Sequence, residues 1–350
     1  MVQVQRRWFS PIDRTAPLRA LALLLIPSVA LAQRPAASPA RVVPLKPFAP
    51  PAWAVPSAPI PVGAAPRPDS TVWHHVAGSP RAYTMQQIGN AFDIPDWFPD
   101  AHPPAPKSVL YGTRPTGRAC GYCHLPNGAG RPENATLAGL PAAYTIAQMR
   151  AFRDSSRKSA SKDWPTNSMH AVAAGVTDDD VREAAAYFER LALTRRNRIV
   201  ETTRVPVTRV ETMLAVKEGE GTEPIAGRLI EVPDELSRHA MRDPTVRYTT
   251  YVPPGTLARG RRVATQGPAG IATACSTCHG PDLLGMAGTP PLAGRSPAGM
   301  LRQLVSFRTG ARADSASVVM RPIVNALTVD DMAAVSAYLG SLPPQRGAKH

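Results

Sequence analysis

Cys120-Gly-Tyr-Cys123-His124 and Cys275-Ser-Thr-Cys278-His279 hold all four cysteines of this 350-residue chain, with their first cysteines 155 residues apart. In each string two thiols stand three positions apart, on one turn of a helix, and an imidazole follows directly. That pattern suits covalent haem attachment: the thiols bond two vinyl groups and the histidine reaches the iron from the same face. Blander readings fit less well. A four-cysteine zinc site would have to join halves a domain apart and leave both histidines idle. Two C-x-x-C disulfides would close tight, redox-labile loops. A thioredoxin-type pair wants a βαβ setting that neither string has. The expectation is two covalently bound haem c groups, anchored at Cys120, Cys123, Cys275 and Cys278, with His124 and His279 on the irons.

The chain repeats itself around these strings. At the 155-residue offset Leu137-Ala138-Gly139 matches Leu292-Ala293-Gly294, and Gln148 matches Gln303. Phe152-Arg153 matches Phe307-Arg308, and Arg157 matches Arg312. Four extra residues in the first half change the offset to 151, where Met169 meets Met320, Val176-Thr177 meets Leu327-Thr328 and Tyr187 meets Tyr338. Agreement in two registers marks a duplicated unit. Thr177 and Thr328 read as N-caps, with Asp180 and Asp331 three positions on. Val181, Ala184, Ala185 and Phe188, like Met332, Val335, Ser336 and Leu339, recur at helical spacing and predict one buried face on each helix. Each methionine is expected on a loop before its terminal helix, across the haem face opposite the histidine. A thioether there is a soft sixth ligand that raises the potential and leaves no open coordination position.

With these motifs in place, each half resembles a class I cytochrome c domain over about Tyr111 to Leu191 and Leu257 to Leu342. The tandem resembles periplasmic dihaem cytochromes c that feed oxidases or accept electrons from dehydrogenases. The resemblance implies a mainly α fold: two cytochrome c-like helical haem domains joined by a small β-containing insertion. It also implies His124 with Met169, and His279 with Met320, as axial pairs. The expected divisions are a signal peptide over 1–32, a Pro-rich linker over 33–70, haem domains over 71–195 and 256–345, and the β-containing segment over 196–255. Two departures loosen the match. Pro103, Pro104 and Pro106 leave little room for an opening helix in the first domain. The second has extra residues between Gly260 and Cys275, where the family turns sharply.

The first residues read as an export signal. Arg6, Arg7, Arg14 and Arg19 precede an apolar run from Ala20 to Ala32, and Ala30-Leu31-Ala32 offers a cleavage site. The run is short for a span and Pro27 interrupts it; left uncleaved, it would hold the protein peripherally at a membrane. Pro35 to Pro68 is expected to be an extended tether. Between the domains, β-branched clusters at Ile199-Val200, Val205 to Val210, Met213 to Val216, Arg228 to Val232 and Thr245 to Val252 predict strands. The formal charge of +14 points to redox partners with acidic docking surfaces, such as a dehydrogenase donor and an oxidase or cytochrome acceptor. No nucleic-acid motif accompanies that charge.

Other side chains compete for roles. Met149 aligns with Leu304 and Met332 with Val181, so both read as core, while Met286 and Met300 fall early in the second half. His170 stands beside Met169, but its counterpart is Arg321. His102 and His74-His75 read as surface or packing residues. Arg153 and Arg308 suit either haem propionates or solvent. A dihaem peroxidase needs one open iron position, which equivalent methionines would close. Thiosulfate dehydrogenases use a cysteine ligand, and no cysteine is spare. A carrier, free or docked on a dehydrogenase, is the expected activity.

Overall fold

Antiparallel strands β1 (Trp73–His75) and β2 (Ala82–Thr84) open the first half, with Trp73 opposite Thr84. The computed structural model describes residues 43–58, 68–161, 166–271, 273–286 and 288–344, so the expected export signal lies outside the described residues. Thr84 caps α1 (Met85–Ile88), and Val76, Ile88 and Trp97 bury together behind the hairpin. Proline removes backbone donors and constrains the residue before it, so Pro103, Pro104 and Pro106 leave α2 (Lys107–Leu110) a single turn. The first attachment helix α3 (Cys120–His124) is followed by α4 (Ala142–Arg153), α5 (Thr166–Gly175) and α6 (Asp178–Glu189). Val109, Ala138, Ala184, Tyr187 and Phe188 form their core.

The segment between the haem domains is a sheet with a hairpin. β3 (Asn197–Glu201) precedes the antiparallel pair β4 (Arg204–Glu211) and β5 (Leu214–Pro224). β6 (Ile230–Pro233), α7 (Leu236–Ala240) and β7 (Tyr248–Val252) follow. β7 runs in the middle, parallel to β3 and antiparallel to β6. Val205, Ile225, Ile230 and Val232 give the segment a small core of its own.

The second haem domain holds α8 (Thr256–Gln266), α9 (Cys275–His279), α10 (Pro297–Arg308), α11 (Arg321–Ala326) and α12 (Val329–Ser341). α8 lies directly on α12: a Cβ on Gly260 would come within 2.1 Å of the Ala334 carbonyl oxygen, so glycine is required there. The extra residues before Cys275 complete α8 and turn at Gly267, whose φ is 90°. The repeat is visible in matching bonds. Thr177 and Thr328 cap α6 and α12, each accepting from its aspartate amide at 3.1 Å. Gly139 N donates to Phe188 O at 2.9 Å, and Gly294 N to Leu339 O at 2.8 Å.

One expectation fails. The described part of the Pro-rich stretch, 43–58, is a packed strap. Leu45, Phe48, Trp53 and Val55 lie against the core of the second domain, and Ala54 is buried in it. Asn325 accepts from Lys46 N at 3.1 Å and donates to Pro44 O at 2.8 Å. A polyproline-like chain leaves its backbone groups unpaired internally, so neighbouring side chains can take them up once apolar anchors dock it.

Candidate haem sites

Each attachment helix delivers its histidine to a carbonyl supplied by the loop that follows. His124 Nδ1 lies 2.7 Å from Ala135 O, and His279 Nδ1 lies 2.9 Å from Pro290 O. Ala135 and Pro290 are themselves repeat partners, 155 residues apart. A carbonyl only accepts, so each Nδ1 carries the proton and each Nε2 keeps a free lone pair, the tautomer an iron ligand needs. Burial drives His124 down to about 4 and lowers His279 as well, so both rings are neutral at pH 7.

The thiols are equally suited. Burial pushes Cys120 up to about 12 and Cys275 up to about 11. Burial also raises Cys123, against the pull of Arg131 and Arg242. These three thiols are thereby held neutral, the state that thioether bonds leave the sulfur in. Among the described residues, no group of three or more His, Cys, Asp or Glu is placed to hold a metal ion by itself.

The methionines lie in helical segments, where loops were expected. Met169 is inside α5, and Met320 ends a 3-10 turn (Ser315–Met320) leading into α11. The thirteen residues Met169–Val181 thus run helix, cap, helix, because Ala171, Ala173 and Ala174 favour helix up to Gly175. Both methionines are partly buried, and Met320 packs on the second core. Of their rivals, Met332 is fully buried in that core and Met286 is 50% exposed. His170 stacks edge-on to Phe152 at 5.7 Å. His102 is taken by Asp96 at 3.3 Å and the Tyr187 hydroxyl at 3.0 Å.

Arg153 is the exposed helix-end charge that the solvent reading expects, while Arg308 is buried away from solvent. Arg153 donates to Ala173 O at 2.6 Å and Val176 O at 2.7 Å and pairs with Asp178, tying α4 to the α5–α6 turn. Arg308 donates to Lys46 O and Pro47 O and stacks on Phe48, holding the strap. Their neighbours Arg157 and Arg312 lie opposite each other at the seam between the halves. Lys158 N donates to Ala311 O at 2.6 Å and Ala313 N to Ser156 O at 2.7 Å, a pseudo-twofold bridge that joins the two haem domains. Across it Arg157 donates to Gln148 at 2.7 Å and Gln303 at 3.1 Å, and Arg312 to Gln303 at 3.0 Å and Gln148 at 2.8 Å. Among the described residues neither guanidinium has a carboxylate ion pair, and Arg312 Nε, in a residue only 5% exposed, has no partner. Burial, then Arg312, pushes Arg157 down to about 9. Two adjacent buried cations call for anions, and haem propionates are anions of the right kind. The alignment pairs these residues; nothing in it says that the pairs meet.

Two helical domains, each with a C-x-x-C-H helix and a neutral, oriented histidine, define a c-type cytochrome. The Cytochrome c family matches residues 110–192 and 258–343. The two matched stretches are cytochrome c domains in tandem, the arrangement of a dihaem class I cytochrome c with two covalently bound haem c groups. The chain is 45% identical over 89 residues to a thiosulfate dehydrogenase electron acceptor of Stutzerimonas stutzeri, a stretch covering 25% of this chain and 40% of that protein. It is 27% identical over 233 residues to cytochrome c4 of Azotobacter vinelandii, covering 64% of this chain and 84% of the relative. The crystal structure of reduced recombinant cytochrome c4 from Pseudomonas stutzeri is similar at a TM-score of 0.42 and 22% identity, over 64% of this chain and 93% of that one.

Proposed function

We propose that this protein relays single electrons between exported redox proteins. Cys120 and Cys123 anchor one haem, and Cys275 and Cys278 the other. His124 with Met169, and His279 with Met320, are the residues that would hold the two irons. The bound haems supply reversible one-electron chemistry. The chain's own contribution is to hold the imidazoles neutral and oriented, and to meet the propionates with Arg157 and Arg312. The paired contacts His124–Ala135 and His279–Pro290 carry this reading, because they prepare the same ligand nitrogen in both halves. With a methionine at each sixth position, peroxidase turnover is disfavoured for want of an open iron.

The donor that fits is a dehydrogenase. The 45% identity to a thiosulfate dehydrogenase electron acceptor supports it, and the +14 charge favours an acidic docking face on the partner. The expected leader at 1–32 favours exchange in the periplasm, and no described helix is long and apolar enough to cross a membrane. Stopped-flow reoxidation against ionic strength tests the docking. The rate should fall as the Debye length shrinks from about 10 Å at 0.1 M salt to about 3 Å at 1 M. A rate independent of salt would contradict electrostatic docking, and wild-type peroxide turnover at about 1 to 1000 per second would contradict the carrier reading.

A further inference from the structure

The two attachment helices differ in what stands behind them. Arg242, two residues beyond α7 of the β-containing segment, lays its guanidinium 3.7 Å from the centre of the Tyr122 ring. It donates to the Tyr122 carbonyl, between Cys120 and Cys123, and to Ile88 O at 3.1 Å. The turn holds Arg242 at a φ of 56°, a conformation L-residues seldom adopt. On α7 itself His239 lies 3.2 Å from the Glu133 carboxylate, which also pairs with Arg131 at 3.2 Å. Glu133 therefore offsets Arg131, while Arg242 has no ion pair among the described residues. In the second half Thr277, Met286 and Gly288 occupy the places of Tyr122, Arg131 and Glu133. Among the described residues no arginine stacks on or donates to that helix.

We infer that the β-containing segment sets the reduction potential of the first domain's haem, through the Arg242 cation held on the Tyr122 ring. Reduction removes one positive charge from the iron. A half-buried guanidinium beside the attachment helix opposes the ferric state more than the ferrous state, and solvent screens it incompletely. Arg242 contacts neither the iron nor a substrate; it is a positioning residue that acts by charge. This inference rests on haem attachment at Cys120 and Cys123.

The test uses the mature full-length protein, with intact mass confirming two haems before any potential is read. Spectroelectrochemical titration of the wild type should resolve two one-electron steps. Arg242→Gln should move one of them negative by about tenfold in the reduction equilibrium, or about 59 mV for one electron, and leave the other in place. The step that moves should belong to the haem whose methyl resonances show Overhauser contacts to the Tyr122 ring. Arg242→Lys, which keeps the charge, should lose less than half of that shift. Arg242→Met, which keeps the apolar stem over Tyr122, is a second neutral variant and should reproduce Arg242→Gln. Two haems with both midpoints unchanged in the neutral variants would overturn the inference, as would Arg242→Lys shifting as far as Arg242→Gln. Loss of a haem from the wild-type 120–124 peptide would instead overturn the attachment reading beneath it.

Discussion

His124 is 9% exposed, under a loop that the β-containing segment holds from outside: Arg196 donates to the Ala129 and Gly130 carbonyls, and His239 pairs with Glu133. Its counterpart His279 is less buried, Cys278 is exposed, and the matching loop carries Met286 at 50% exposure. The ligand-orienting bonds are nonetheless the same in both halves. Both halves share the short-range geometry that prepares an iron ligand, and the β-containing segment lays the cations Arg196 and Arg242 against the first half's attachment loop and helix. Electrostatic surroundings can therefore diverge while coordination stays fixed, which is how one fold can carry two haems of unequal potential.

The largest effects should come from breaking one copy at a time. Replacing Cys120 and Cys123 together by alanine should cost one haem by intact mass, and the Cys275/Cys278 pair should cost the other. Two haems surviving in either variant would show that attachment lies elsewhere. Met169→Ala and Met320→Ala should each remove about half of the near-infrared sulfur-to-iron charge-transfer band and lower one midpoint. Each should also raise peroxide turnover by opening a coordination position. An intact band in the double variant would exclude both methionines.

Smaller changes test how alike the copies remain. Arg157→Gln and Arg312→Gln should each destabilise the haem-loaded protein by about 1.5–3 kcal/mol, the usual worth of hydrogen bonds to charged groups, read from denaturant melts. Unchanged melts in both would mean that the propionates are held elsewhere. Thr177→Ala and Thr328→Ala should each cost about 1 kcal/mol through loss of an N-cap, and by similar amounts because the two boxes share their geometry.

Much of this was legible in residue order. Both attachment helices, both capped terminal helices and the strands of the β-containing segment follow from local chemistry: thiol spacing, a threonine with an aspartate three residues on, and β-branched clusters. What escaped depended on contacts between residues distant in sequence. Arg157 and Arg312 were matched as repeats, but their meeting across a pseudo-twofold bridge is a tertiary fact. Arg153 and Arg308 look equally free in sequence, and their carbonyl partners lie 20–23 residues away and in the strap more than 260 residues away. Prolines concealed the strap itself, because composition averages away Leu45, Phe48 and Trp53. Helical Met169 was missed because a ligand role suggested a loop, while its alanine neighbours were already spelling helix.

The central claim is that both halves carry a six-coordinate, electron-carrying haem. Coulometric titration of the mature wild-type chain, followed through the visible and near-infrared bands, tests it most directly. Two electrons per chain should be taken up in two one-electron steps, with both haems low-spin and the sulfur-to-iron band of the oxidised protein disappearing in proportion to each. A single electron per chain, or a high-spin haem in the wild type, would contradict the account.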